Sequence, residues 1–219
     1  MSTLPPEDPP GEPNDAPPAP RRERAAAKRR RRAAKRLAGL TPDSAALADP
    51  IGLYLGGYPE RLRERARGLV AEEKLSAYLL ERYPLESCHQ HRSDSQLWSF
   101  VQTLKRQHLR NAPPLSKIRY DARLQSAQRA LGIHVSASRV QGGKLKAKRE
   151  LLVDQLFRSA PLAFLKMIVA HELAHLRERD HNRAFYQLCE LIEPDYHQLE
   201  FDLRLYLVCR AKGALIYPL

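Results

Sequence analysis

Two histidines four residues apart, His171 and His175, constrain this 219-residue chain more than any other feature. They belong to the sequence His171-Glu172-Leu173-Ala174-His175, which continues an apolar stretch of helical periodicity that begins near Pro161. Residues four positions apart on an α-helix lie about 40° apart around the axis and about 6 Å along it. Both imidazoles can therefore reach one ion. The pattern predicts a helix with two metal ligands and with Glu172 as the base for a metal-bound water.

A catalytic zinc needs a third protein ligand and an open fourth position, and His181 is the candidate for that ligand. An unbroken helix would turn His181 about 80° away from His171, so the helix is expected to end before His181. Asp180 or Asn182 can cap the helix that follows. The spacing equals that of the metzincin signature, but Glu178 stands where those proteins have a glycine. A structural zinc or a degenerate site is the alternative.

The remaining pattern predicts an α+β fold that is rich in helices, with a small antiparallel sheet packed by the metal-binding helix. Apolar residues recur at helical spacing between Leu62 and Leu80. Another helix is expected to begin at Ser93 or Asp94, with Trp98 in the core. Two helices, at about 183–192 and 196–210, are expected to close the chain.

The sheet is expected to combine a short strand at Ile118–Tyr120 with a hairpin over residues 133–148. Gly142 and Gly143 suit the two-residue turn of such a hairpin, because both tolerate positive φ angles. The hairpin also carries four basic residues: Arg139, Lys144, Lys146 and Lys148.

These four residues are the candidate substrate-binding residues. Pairing across the turn places Arg139 opposite Lys146, and like charges in that position destabilise a hairpin unless an anion lies between them. A nucleoside triphosphate could supply that anion. The hairpin edge could equally hold an extended peptide, or its lysines could protect the edge from aggregation.

Positive charge is concentrated near the N-terminus, within a formal net charge of +12. Residues 21–36 contain ten basic residues and one acidic residue, and residues 1–20 contain eight prolines. Such stretches cannot bury enough apolar surface to fold. We therefore expect a disordered tail over residues 1–40 in front of one domain at 51–212. The basic run could be a solvated tail or could contact nucleic acid weakly.

The three cysteines are an odd number and form no CxxC pair, which argues against a disulfide framework. No apolar run approaches the length of a membrane span, and no secretory signal is visible. We expect a cytoplasmic monomer.

Other polar residues are weaker candidates for the site. Among Tyr196, His197, Glu200 and Asp202, one could orient a ligand imidazole, and we favour His197 and Glu200. A solvated helix face is the alternative for these residues.

A second metal cluster could be imagined at Cys88, His89 and His91. They follow Pro84 and have no partner pair elsewhere in the sequence. They are therefore expected to form a surface loop.

The chain resembles the YgjP-like metallopeptidase-domain family, a zincin-like group. The resemblance runs from about Leu53 to Leu207 and is carried by the segments 54–59, 109–113, 138–148, 171–181, 184–188 and 196–202. It implies a zincin-like domain with Zn²⁺ on His171, His175 and His181 and with Glu172 as the catalyst. Close relatives are also described as UTP pyrophosphatases.

The sequence thus leaves three functions open. The first is a zinc-dependent peptidase, and the second is a nucleotide pyrophosphatase acting on UTP. The third is a nucleic-acid-binding protein with a basic tail and a structural zinc.

Overall fold

The computed structural model describes residues 49–122 and 149–217. Within these ranges the chain forms seven α-helices, two short 3₁₀ turns (Leu85–Ser87 and Gln155–Ser159) and a two-stranded sheet. In chain order the elements are α1 Pro50–Leu55, α2 Glu60–Ala71, α3 Leu75–Arg82, α4 Asp94–His108, β1 Lys117–Asp121, β2 Glu150–Asp154, α5 Leu162–Ala174, α6 Arg183–Ile192 and α7 Tyr196–Ala211.

Helix α4 begins where its cap was predicted. The Ser93 Oγ accepts a hydrogen bond from the Gln96 backbone N–H at 3.2 Å, and the Ser93 N–H donates to the Gln96 side chain at 3.0 Å. This reciprocal pair is a capping box. The prediction that Trp98 lies in the core was wrong, because the helix buries Leu97 and Val101 and turns Trp98 about 100° away from Leu97, where it is 37% exposed.

The sheet is parallel, so the prediction of an antiparallel sheet was wrong for the described strands. Ile118 pairs with Leu151, and Tyr120 pairs with Val153. A connection over residues 122–149 joins the strands, long enough for the crossover that parallel pairing needs. The expectation came from the hairpin at 133–148, which lies outside the described residues. The predicted N-terminal tail also lies outside them.

Helix α5 forms the centre of the core. Its buried residues lie on every face, from Phe164 to Ala174, as expected of a helix enclosed by the protein. It packs against α4, α6, α7 and β2. His171 is only 2% exposed as a result.

In the part of the chain that the structure describes, no helix is both long and apolar enough to cross a membrane.

Candidate metal centre

The metal-binding helix ends between the predicted ligands. Helix α5 stops at Ala174, His175 forms its C-cap, and a short turn follows. The Asn182 side chain then accepts a hydrogen bond from the Phe185 backbone N–H at 2.9 Å and opens α6. The sequence predicted the break and left Asp180 and Asn182 as alternative caps, of which Asn182 is the one observed. The break frees His181 from the helical rotation that would have carried it away from His171.

The three histidine side chains converge on one point. The His171 Nε2 lies 3.2 Å from the His175 Nε2 and 3.2 Å from the His181 Nε2. Two nitrogens bound to one tetrahedral zinc at 2.0–2.1 Å are about 3.3 Å apart. These two distances therefore match a zinc site, and the ligand atoms of all three histidines lie within 4.8 Å of one another. Among the described residues, these three histidines are the group that could hold a metal ion.

A backbone carbonyl fixes the tautomer of His175. Its Nδ1 lies 2.9 Å from the Glu178 carbonyl oxygen. A carbonyl can only accept, so Nδ1 donates and Nε2 keeps its lone pair for a metal. Among the described residues, Glu73 is the non-glycine residue with a positive φ angle, so Glu178 adopts an ordinary backbone conformation and the turn needs no glycine there.

The Nδ1 of His171 also has a hydrogen-bonding partner, which is a side chain. Its Nδ1 lies 2.7 Å from the hydroxyl oxygen of Tyr196, the first residue of α7. Both residues are buried, and burial raises the pKa of the Tyr196 hydroxyl well above its usual range. Tyr196 is one of the four residues predicted as candidates for such a contact, of which His197 and Glu200 were favoured.

The two favoured residues have other described partners. The His197 Nε2 lies 3.0 Å from a Glu190 carboxylate oxygen, on an exposed part of the surface. Glu200 accepts a hydrogen bond from Arg204 at 2.7 Å. Their predicted role beside a ligand imidazole stays a prediction.

Asp202, the fourth candidate, is fully buried. It accepts hydrogen bonds from Tyr83 at 2.7 Å and from Arg82 at 3.1 Å. It thus ties α7 to the end of α3.

Phe185 packs against all three imidazoles. Its ring centroid lies 4.9 Å from that of His171, 4.5 Å from that of His175 and 4.7 Å from that of His181. The ring is fully buried, so it keeps water away from one side of the group and holds the imidazoles in place. Phe185 was not among the residues predicted for the site, although its position three residues after the Asn182 cap points it back towards the turn.

Glu172 follows His171 on α5 and keeps part of its surface exposed. In the metal-free chain, loss of hydration raises the pKa of its carboxyl group from 4.5 to about 8. A cation on the three histidines would favour the ionised carboxylate and lower that pKa. The predicted base would therefore be most available with a metal on the three histidines.

The segment with Cys88, His89 and His91 does not belong to the metal group. His89 is buried, and its Nε2 lies 2.6 Å from the Phe157 carbonyl oxygen. The prediction of a surface loop was therefore wrong for His89, which bonds the Gln155–Ser159 turn before α5.

A comparison with protein-family models matches residues 18–206 to the YgjP-like metallopeptidase domain. The chain belongs to this family. The resemblance was predicted to begin at about Leu53. The match begins earlier in the chain and includes the basic run at 21–36.

This YgjP-like chain is 55% identical over 160 residues to a protein of Escherichia coli (strain K12) named UTP pyrophosphatase. The aligned part covers 73% of the chain and 95% of that relative. No solved structure matches the chain significantly. Membership of the YgjP-like family and the similarity to the UTP pyrophosphatase both indicate that the chain is a hydrolase.

Proposed function

We propose that this chain is a zinc-dependent hydrolase that cleaves UTP to UMP and pyrophosphate. The observation that carries the proposal is that the His171 Nε2 lies at zinc-ligand spacing from the Nε2 atoms of both His175 and His181, with Glu172 next to His171 in the chain. The substrate is inferred from the relative named UTP pyrophosphatase, which the chain covers almost completely.

The donor set fits zinc. Three imidazoles with an open fourth position are a common set of ligands for a catalytic zinc. His171, His175 and His181 would hold the ion. When bound there, zinc lowers the pKa of a coordinated water to near 7 and polarises a phosphoryl oxygen.

The role assigned to Glu172 is that of general base. Its carboxylate takes the proton of the water that attacks the α-phosphorus of UTP. The bond between that phosphorus and the oxygen bridging to the β-phosphorus breaks, and pyrophosphate leaves with the bond electrons. General bases of this kind typically contribute about 10²–10⁴-fold to the rate.

The triphosphate is assigned to the four basic residues of the predicted hairpin: Arg139, Lys144, Lys146 and Lys148. They lie outside the described residues, so the assignment rests on their charge and on their spacing around Gly142 and Gly143. Arginine and lysine bind phosphoryl oxygens through charge-assisted hydrogen bonds.

The first test is release of pyrophosphate from UTP by zinc-loaded protein, with ATP, GTP and CTP alongside. Glu172→Gln is the blank, and Glu81→Gln is the control for an exposed carboxylate on α3. We expect release from UTP by the wild type and by Glu81→Gln. Absence of release above the blank with every nucleotide would contradict the proposed substrate.

A peptidase is the second candidate, because the family is described as a metallopeptidase domain. The same metal and the same base would then act on a peptide carbonyl. Cleavage of a peptide library by the wild type but not by Glu172→Gln would support this function, and it would do so most clearly if no nucleotide were hydrolysed.

A further inference from the structure

The hydroxyl of Tyr196 lies between a predicted metal ligand and a buried thiol. It is 2.7 Å from the His171 Nδ1, and the buried Cys189 side chain is near enough to interact with it electrostatically. Tyr196 and Cys189 are fully buried, and His171 is nearly so. Water therefore has little access to any member of this chain of contacts.

The direction of the hydrogen bond between His171 and Tyr196 follows from the geometry at His171. Its Nε2 faces the Nε2 atoms of His175 and His181 at 3.2 Å, so Nε2 is the atom that would face a metal. A metal ligand presents a lone pair, which leaves the ring proton on Nδ1. That proton is donated to the Tyr196 oxygen. The Tyr196 proton is then free to be donated to the Cys189 sulfur, a weak acceptor.

The elements that carry these residues explain why the contact is specific. His171 lies on α5, Cys189 on α6 and Tyr196 at the start of α7. Cys189 lies one helical turn after Phe185, so both side chains are on the same face of α6. The Phe185 ring packs on the imidazoles, and the Cys189 thiol faces Tyr196. One hydroxyl therefore links the three helices that surround the predicted ion.

We propose that Tyr196 is a positioning residue of the metal centre, which holds His171 in the metal-binding tautomer and orientation while Cys189 accepts the tyrosine proton. The inference rests on the metal site of the proposed function but not on its substrate. A positioning role of this kind typically changes metal affinity by about 10–100-fold.

The test compares Tyr196→Phe with Tyr186→Phe in the full chain. Both variants remove one hydroxyl and keep the ring. Tyr186 is a suitable control because its ring centroid lies only 6.2 Å from that of Tyr196, while its hydroxyl makes no hydrogen bond within the described residues. The dissociation constant for Zn²⁺ is measured by competition with a chromogenic chelator, and the melting temperature of the metal-free protein is measured in parallel.

We expect Tyr196→Phe to weaken Zn²⁺ binding by about 10–100-fold and Tyr186→Phe to leave it unchanged. The visible spectrum of the Co²⁺-substituted protein should shift for Tyr196→Phe alone, because it reports the geometry of the ligands. Equal Zn²⁺ affinity in Tyr196→Phe and the wild type would overturn the inference. Failure of the wild type to bind Zn²⁺ would instead overturn the metal site of the proposed function.

A second pair of variants applies if Tyr196→Phe does not fold. Cys189→Ser keeps an acceptor for the tyrosine proton, whereas Cys189→Ala removes it. We expect Cys189→Ala to bind Zn²⁺ more weakly than Cys189→Ser. Equal affinities of these two variants would overturn the role given to Cys189, and equality with the wild type would overturn the chain of hydrogen bonds as a whole.

Discussion

The Nε2 atoms of His171 and His181 lie 3.2 Å apart, although His171 belongs to α5 and His181 lies beyond the end of that helix. The contact depends on a break in the helix after Ala174 and on a new helix that begins directly after Asn182. A ligand at position 181 is thus positioned by the turn that contains it. This relationship makes the cap of α6 part of the candidate metal centre.

We expect Asn182→Ala to lower the free energy of unfolding by about 1 kcal/mol, the usual value of an N-cap side chain. It should also weaken Zn²⁺ binding, because His181 immediately precedes the lost cap. Asn182→Ser retains a capping oxygen and is the matched control. Urea unfolding and a Zn²⁺ titration check both effects, and Zn²⁺ binding by Asn182→Ala as tight as by Asn182→Ser would contradict the prediction.

Phe185 should matter for both stability and metal affinity, because its ring contacts all three imidazoles. We expect Phe185→Ala to cost about 3–5 kcal/mol in unfolding free energy, as for other buried aromatic residues. Phe185→Leu should fold but bind Zn²⁺ more weakly than the wild type. Phe100→Leu on α4 is the control, since Phe100 packs against His91. An equal effect of the two leucine variants on Zn²⁺ affinity would show that Phe185 has no special role.

Zinc should stabilise the fold by mass action, because the site forms only when α5 and the following turn are folded. At a free Zn²⁺ concentration of about 100 times the dissociation constant, the expected gain in unfolding free energy is about 2.7 kcal/mol. Chelation should reverse the gain. His181→Ala should abolish it, and His108→Ala, at the end of α4, should preserve it. A melting temperature of the wild type that does not respond to Zn²⁺ would argue against the site.

Asp154 should give the protein a pH-dependent stability separate from the metal. Burial raises the pKa of its carboxyl group from 3.8 to about 6, and Asp121, its partner in the sheet register, adds to the effect. The folded state therefore binds more protons than the unfolded state between about pH 4 and pH 6. The free energy of unfolding therefore falls as the pH rises through this window. Above the window, Asp154 causes no further change in it.

Asp154→Asn removes this dependence and keeps an acceptor for the Leu156 N–H, which Asp154 bonds at 2.9 Å. Between pH 4 and pH 7 the variant should gain roughly 2.5 kcal/mol relative to the wild type, most of the value that about 1.36 kcal/mol per pKa unit gives for the whole shift. Denaturant unfolding at both pH values checks this, with exposed Asp195→Asn as the control. A difference between variant and wild type that does not change with pH would contradict the prediction.

The sequence by itself determined the features that depend on neighbouring residues. The spacing of His171 and His175 fixes two imidazoles on one side of α5 whatever surrounds the helix. Asn182 and Ser93 mark helix starts because each side chain caps a backbone N–H only three residues away. The resemblance to the YgjP-like family was also readable from the sequence and was confirmed.

Only the tertiary structure decided which distant residues meet these local features. Tyr196 reaches His171 across 25 positions, and Phe185 reaches three rings at once, because α5, α6 and α7 pack together. The parallel pairing of β1 with β2 likewise depends on a long crossover that strand periodicity does not encode. Helical spacing and caps are set by backbone geometry over a few residues, whereas these contacts are set by how buried surfaces fit, to which the whole chain contributes.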